Sequence, residues 1–185
     1  MLFPGERLWL VDDVFDRDEC GRWIDLIERS QPALATNNPL HRDQDRVIVD
    51  DGAAADELYA RLAPGLPHRL GDLAIVGLNP RLRLYRYGPG QRFAEHTDHW
   101  YQPSPTEITL LTVLVYLNDG FVGGETRFTE HLDAVVDARP GRVAVFQHKL
   151  RHEGAPVVSG TKYAIRSDVI YRAQSEIELT YRWPG

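Results

Sequence analysis

The chain has 185 residues, of which 43% are hydrophobic and 26% are charged, as expected for a globular protein with an ordinary core. Its net charge of −6 argues against general nucleic-acid binding, because phosphate contacts require clustered Lys and Arg. Cys20 is the only cysteine, which excludes an internal disulfide and a CxxC motif. Because it shows no basic leader and no long apolar run, we expect one cytoplasmic domain over 1–185 with no membrane partner.

Residues 1–79 are predicted to form helical support and edge strands. The run LWLVDDVF is typical of a strand, and Asp16 followed by Glu19 has the spacing of a capping box. Apolar residues then recur at helical spacing and predict a helix over about 17–30 with one buried face. A polar loop, ATNNPLHRDQDRVIVDD, ends in a short strand, and AADELYARLA predicts a second helix.

Residues 80–175 consist of short β-branched or aromatic runs separated by turn signals such as YGPG, NDGFVGG and RPG. No helical pattern interrupts them, which is typical of an antiparallel sandwich, barrel or jelly roll. We therefore predict an α+β, mainly β, fold with a double-stranded β-helix (jelly roll) core and N-terminal supporting helices. The tail over 176–185 is predicted to add an edge strand.

Histidines and an aspartate near predicted strand ends are candidate metal ligands. His96 and Asp98 are two residues apart, so on an extended chain they point to the same side. His148 and His152 follow a later strand, which a jelly roll folds back beside earlier ones. Two histidines and one carboxylate form the facial triad of non-heme Fe(II), whereas structural zinc favours four ligands that usually include cysteine.

Four segments, YRYGPGQRFAEHTD, LVYLNDGFVGGETRF, RPGRVAVF and HEGAPVVSGTKYAIRSDVIY, occur in this order between about Arg81 and Arg172. Together they resemble the core of the Fe(II)- and 2-oxoglutarate-dependent dioxygenases of the prolyl 4-hydroxylase type. The resemblance implies a jelly-roll enzyme that uses Fe(II), 2-oxoglutarate and O2, and ascorbate is compatible with it as an addition. The N-terminal half resembles this family only loosely.

The resemblance implies that His96, Asp98 and His152 bind the iron. It also implies that Lys162, ten residues after the last histidine, binds the 5-carboxylate of 2-oxoglutarate. The chemistry explains this choice, because a buried carboxylate without a positive partner would cost several kcal/mol. Arg166 lies on the same face of the predicted strand and is the alternative anchor.

Further pocket residues are predicted with alternatives. The resemblance also implies that Tyr87 and Tyr116 are pocket tyrosines, with a phenol hydroxyl from either as a further contact for the cosubstrate. Arg166 and Asp168 are expected near the pocket mouth, facing the primary substrate, with an ion pair on the outer surface as the alternative. Trp100 either closes over a substrate or packs its loop against the protein.

The other polar residues and glycines are expected to be exposed, supporting or turn-forming residues, not ligands. We expect His148 to be a surface histidine or one that supports the ligands from behind, and His99 to be exposed. Gly123 and Gly124 are interpreted as a turn that enters a strand. Specificity is predicted to lie in the loop over Asn37–Arg46 and in the loop after Trp100.

The resemblance implies hydroxylation of an unactivated C–H, in a prolyl or other amino-acid residue of a peptide or protein. A small-molecule or free amino acid substrate is the alternative. Asp98 favours hydroxylation, since halogenating relatives replace this carboxylate with a small residue. A nucleic-acid demethylase, disfavoured by the acidic charge, and a non-enzymatic jelly-roll binding module, disfavoured by the intact ligand set, are further alternatives.

Overall fold

A computed structural model describes residues 7–35, 38, 40–130 and 132–177 and confirms a mainly β fold with N-terminal helices. Helix α1 covers Arg17–Arg29, and α2 covers Gly52–Leu62 and continues into a short 3-10 turn. The Asp16 carboxylate accepts a hydrogen bond from the backbone N–H of Glu19, and the Glu19 carboxylate accepts one from the backbone N–H of Asp16, at 2.7 and 2.8 Å. The predicted capping box is therefore confirmed.

Among the described residues, no helix is both long enough and apolar enough to span a membrane.

Short strands make up most of the remaining described structure. In chain order they are β1 (Leu8–Val11), β2 (Ala33–Leu34), β3 (Asp45–Asp50), β4 (Arg69–Leu70), β5 (Leu73–Leu78), β6 (Arg81–Tyr87), β7 (Phe93–His96), β8 (Glu107–Tyr116), β9 (Val122–Gly123), β10 (Thr126–Phe128), β11 (Ala134–Val136), β12 (Val143–Gln147), β13 (His152–Gly154), β14 (Val157–Ser159) and β15 (Lys162–Arg172).

These strands form a jelly roll with two main sheets. The major sheet has the order β1-β12-β8-β15-β6-β3-β2, and β5 pairs with both β15 and β4. The second sheet has the order β11-β10-β13-β7, and β14 pairs with β9. Tyr116 and Phe146 of the major sheet pack against Phe128 and Val136 of the second sheet in one buried cluster. The predicted double-stranded β-helix is therefore confirmed.

The two faces of β15 have different partners because side chains alternate along a strand. Ile165 and Val169 belong to the main hydrophobic core, together with Ile27 of α1 and Leu58 of α2. The other face carries Lys162 and the alternate residues that follow it, which line a pocket between the sheets. The helices thus cover one side of the major sheet, and the polar pocket lies on the other.

The N-terminal part contributes more to the sheet than helical support and edge strands. The run LAIVGL forms β5, which lies beside the central strand β15 with Val169 opposite Leu78. Strand β3 pairs with β6 along its full length. The predicted C-terminal edge strand falls mostly on residues 178–185, which lie outside the described residues. Just before them, the Ile177 N–H donates to the Pro105 carbonyl at 2.8 Å.

Candidate metal centre and its pocket

Three candidate ligands meet where β7 and β13 lie side by side. His96 is the last residue of β7, His152 is the first residue of β13, and the antiparallel register places them opposite one another. Asp98 follows two residues after β7, and its backbone N–H donates to the His148 carbonyl at 2.9 Å. One ligand atom from each of the three side chains lies within 4.8 Å of the others.

Both imidazoles present an unprotonated nitrogen to the same point. The Nδ1 atoms of His96 and His152 lie 2.8 Å from the carbonyl oxygens of Ala94 and Leu150, so Nδ1–H is the donor and Nε2 keeps its lone pair. Burial lowers the pKa of His96 to about 3 and also lowers the pKa of His152. The two rings are therefore neutral at pH 7, which is the form that binds a metal.

The Asp98 carboxylate completes this arrangement as an anion. Its Oδ1 lies 3.7 Å from the Nε2 atom of His96, and its Oδ2 lies 3.7 Å from that of His152. Burial acts to raise the pKa of Asp98, but the Arg166 guanidinium outweighs it and holds the pKa well below its usual range. Two neutral imidazoles and one carboxylate on one face suit Fe(II).

Arg166 and Asp168 form a buried ion pair next to Asp98. The Nη2 atom of Arg166 lies 3.0 Å from Asp98 Oδ1 and 3.1 Å from Asp168 Oδ1. Asp168 is 2% exposed and also accepts from Arg83 and Asn79, at 3.2 and 3.3 Å. The alternative of an ion pair on the outer surface is therefore wrong, since this face of β15 points between the sheets.

Lys162 lies in the same pocket, four residues before Arg166 along β15. Its Nζ donates to the Gly124 carbonyl at 2.6 Å and lies 5.1 and 5.6 Å from the ring centroids of Tyr87 and Tyr116. Among the residues that the structure describes, none forms an ion pair with Lys162, and burial lowers its pKa to about 8. Gly124 has φ +70°, and a Cβ there would lie 3.3 Å from the lysine Cδ, so glycine allows this close approach.

The remaining predicted residues are not part of the cluster of three candidate ligands. Trp100 packs against the main core and lines a separate cavity of about 590 Å³, together with Arg83 and Tyr101. His99 is exposed, as predicted. His148 is buried, with Nε2 3.5 Å from Asp168 Oδ1, so it supports the ion pair from behind.

Sequence reasoning missed several pocket residues. The Thr112 hydroxyl donates to Asp98 Oδ2 at 2.5 Å, and its spacing of four from Tyr116 on an alternating strand was the available signal. The Phe93 ring stacks on His96 with ring centroids 3.6 Å apart. In the loop predicted to carry specificity, the Arg42 guanidinium lies 4.4 Å from the Phe93 ring centroid.

A jelly roll that holds two imidazoles and a carboxylate around one point defines the class of non-heme iron oxygenases. Residues 82–167 match the family model of the 2OG-Fe(II) oxygenase superfamily. The matched segment contains all three candidate ligands and supports a 2-oxoglutarate-dependent dioxygenase, with Fe(II) as cofactor and 2-oxoglutarate and O2 as cosubstrates. No curated protein matches the sequence significantly.

Solved structures with this fold include several prolyl hydroxylases. A viral collagen prolyl hydroxylase from Paramecium Bursaria Chlorella virus-1, in complex with 2-oxoglutarate, is 22% identical with a TM-score of 0.65, covering 91% of this chain and 98% of that one. A Pseudomonas putida prolyl-4-hydroxylase is 17% identical with a TM-score of 0.67, covering 92% and 94%. A Trichoplax adhaerens prolyl hydroxylase, in complex with a hypoxia inducible factor peptide, is 19% identical with a TM-score of 0.63, covering 88% and 82%.

Proposed function

We propose that His96, Asp98 and His152 bind Fe(II) and that the protein hydroxylates an unactivated C–H bond of a peptide or protein. One observation carries this proposal: both Nε2 lone pairs and an ionised carboxylate converge on one point, while both Nδ1–H groups are held by backbone carbonyls. Backbone partners of this kind fix the ring orientation and tautomer of metal-binding histidines.

The same pocket contains a cation suited to the distal carboxylate of 2-oxoglutarate. Lys162 is 2% exposed, and its ammonium contacts one carbonyl and two aromatic rings. Arg166 already contacts two carboxylates. A buried carboxylate of the cosubstrate therefore gains more from Lys162, and we assign the 5-carboxylate to this residue rather than to Arg166.

The chain itself positions the reactants and restricts access of water to them. Bound iron supplies the redox chemistry that couples decarboxylation of 2-oxoglutarate to succinate with transfer of one oxygen atom of O2 to the substrate. Tyr87 and Tyr116 lie beside Lys162, and burial raises the pKa of both, so both phenols stay protonated. The Tyr116 hydroxyl donates to Thr126 Oγ1 at 2.8 Å. The Phe93 ring shields one face of His96 from solvent.

We assign the primary substrate to the cavity of about 590 Å³ lined by Trp100. The cavity adjoins the iron pocket, because Arg83 lines it and also donates to Asp168 at 3.2 Å. Its volume is within the usual range for ligand sites, and its aromatic and proline residues suit a peptide. Prolyl hydroxylases are among the proteins with this fold, which makes a prolyl residue the first substrate to test.

Succinate formation by the purified protein with Fe(II), 2-oxoglutarate and ascorbate tests the reaction and the substrate class. Proline-containing peptides, free amino acids, small metabolites and single-stranded oligonucleotides are compared as stimulants, and mass spectrometry detects a product heavier by one oxygen atom. We expect peptides to stimulate succinate formation and Trp100→Ala to raise their KM about tenfold, as for an aromatic contact residue. Stimulation by oligonucleotides alone would instead indicate the demethylase alternative.

A further inference from the structure

We propose that Arg166 is a positioning residue that makes Asp98 coordinate the metal through one oxygen only. This inference rests on the metal site proposed above and adds a function for the buried ion pair beside it. It concerns how many coordination positions remain for 2-oxoglutarate and O2 once the protein ligands are bound.

The two oxygens of Asp98 have different hydrogen-bond donors. Arg166 Nη2 lies 3.0 Å from Oδ1, and the Thr112 hydroxyl donates to Oδ2 at 2.5 Å. Each oxygen also lies 3.7 Å from one imidazole Nε2. A carboxylate that turned both oxygens toward the metal would weaken its charge-assisted hydrogen bond to the guanidinium, which is the stronger of the two donors.

Coordination number explains why this matters for the reaction. Two imidazoles and one carboxylate oxygen leave three of six positions open, of which 2-oxoglutarate takes two and O2 takes one. A second oxygen from Asp98 would occupy one of these positions. By holding the carboxylate, the guanidinium therefore keeps this coordination position open for the cosubstrate. Its effect on metal affinity itself is small.

Arg166 is itself held in place by a network of charged side chains that has no net charge. Asp168 binds it at 3.1 Å, and Arg83 and His148 contact Asp168 from behind, at 3.2 and 3.5 Å. The two arginines and two aspartates of this network carry charges that sum to zero. A lone guanidinium beside a divalent ion would repel it, and Asp168 offsets that repulsion.

Cobalt(II) substitution tests this inference without turnover, because divalent ions replace one another at such sites and the d–d absorption of cobalt reports its coordination. The main variant is Arg166→Met with Asp168→Asn, which removes one charge of each sign. Arg172→Met with Glu107→Gln is the matched control, because it also removes one charge of each sign, from an ion pair at the C-terminal end of β15 that does not line the pocket. Arg166→Lys, with Asp168 kept, tests whether another cationic donor at this position is enough for normal 2-oxoglutarate binding.

We expect the double variant to bind cobalt within about threefold of the wild type but to bind 2-oxoglutarate about tenfold more weakly, with an altered cobalt spectrum before the cosubstrate is added. Arg172→Met with Glu107→Gln should match the wild type, and Arg166→Lys should recover most of the 2-oxoglutarate affinity. If the double variant does not fold, Arg166→Leu is measured in its place with the same expectation.

A wild-type spectrum and wild-type 2-oxoglutarate affinity in the folded variant, with only a lower melting temperature, would overturn the inference and leave Arg166 a structural residue. Failure of the wild-type protein to bind cobalt, or to change its spectrum on adding 2-oxoglutarate, would instead overturn the proposed function together with the inference.

Discussion

The two cations on the inner face of β15 have opposite surroundings. Arg166 is shared by two buried carboxylates, which raise its pKa further despite burial. Lys162, two strand repeats earlier along β15, contacts one carbonyl and two aromatic rings, and burial lowers its pKa to about 8. A cation that is already paired organises its neighbours, whereas a buried cation without an anion costs free energy until a ligand supplies one. The comparison therefore separates a positioning residue from a binding residue.

Removing a candidate ligand should have the largest effect, because 2-oxoglutarate binding and turnover both depend on the metal. We expect His152→Ala and Asp98→Ala each to lower metal affinity by more than about 100-fold and succinate formation to background. His68→Ala is the matched control, since this histidine is exposed and lines neither the pocket nor the cavity. Metal content after dialysis and succinate release measure the two effects, and a His152→Ala variant that keeps one iron per chain would refute the ligand assignment.

Lys162→Met should next separate binding from stability. Loss of the ammonium should weaken 2-oxoglutarate binding by about 30-fold or more, because truncating one member of a buried charge pair costs about 2 to 5 kcal/mol. The same change should raise the free energy of unfolding of the metal-free protein by roughly 3 kcal/mol at pH 7, since the ammonium of Lys162, 2% exposed, has its pKa lowered from 10.5 to about 8.

The other lysine in the chain, the exposed Lys149, provides the control as Lys149→Met. This variant should change neither quantity. Calorimetric titration with 2-oxoglutarate and urea unfolding measure the two effects. Unchanged 2-oxoglutarate affinity in Lys162→Met would transfer the anchor to Arg166 and remove the contrast between the two cations.

The pH dependence of 2-oxoglutarate binding should sharpen the contrast further. Lys162 must be charged to bind a carboxylate, so affinity should fall about tenfold per pH unit as the pH rises through about 8. Lys162→Arg should keep its affinity over this range, because guanidinium stays protonated. For folding, the native pKa lies below the unfolded value, so the cost of burying the ammonium is full below pH 8 and disappears toward pH 10.5.

Titrations with cobalt in the site, between about pH 6.5 and 9.5, compare the two proteins. A parallel decline in both would assign the pH dependence to the metal site or the cosubstrate instead of Lys162.

Thr112 should give the smallest of these effects. Thr112→Val removes the hydroxyl that donates to Asp98 Oδ2 and keeps the shape of the side chain. We expect metal affinity to fall about tenfold, as is usual when a partner of a metal-binding carboxylate is lost. Thr112→Ser retains the hydroxyl and should stay close to the wild type. An equal loss in both variants would indicate a packing effect rather than the hydrogen bond.

The sequence was sufficient for features that depend on local patterns. The capping box at Asp16, the turn-separated strands and the alternation of β15 each follow from neighbouring residues. The set of three ligands needed the ordered motifs, because spacing alone did not distinguish His148 from His152. Partners that meet only in the folded chain were not predictable, such as Asp168 with Arg83, which are 85 residues apart.

The strand β5 was also missed, because its apolar run carries no period that distinguishes a strand from a buried helix. It became identifiable only through its pairing with β15.

Anaerobic titration of the metal-free protein with Fe(II) and 2-oxoglutarate, followed by visible absorption, tests the central claim most directly. A chelate of Fe(II) with a 2-oxo acid absorbs in the visible range. We predict that this absorption saturates at one iron and one 2-oxoglutarate per chain in the wild type and is absent in His152→Ala. Saturation of the same absorption in His152→Ala, or its absence from the wild type, would contradict the proposed site.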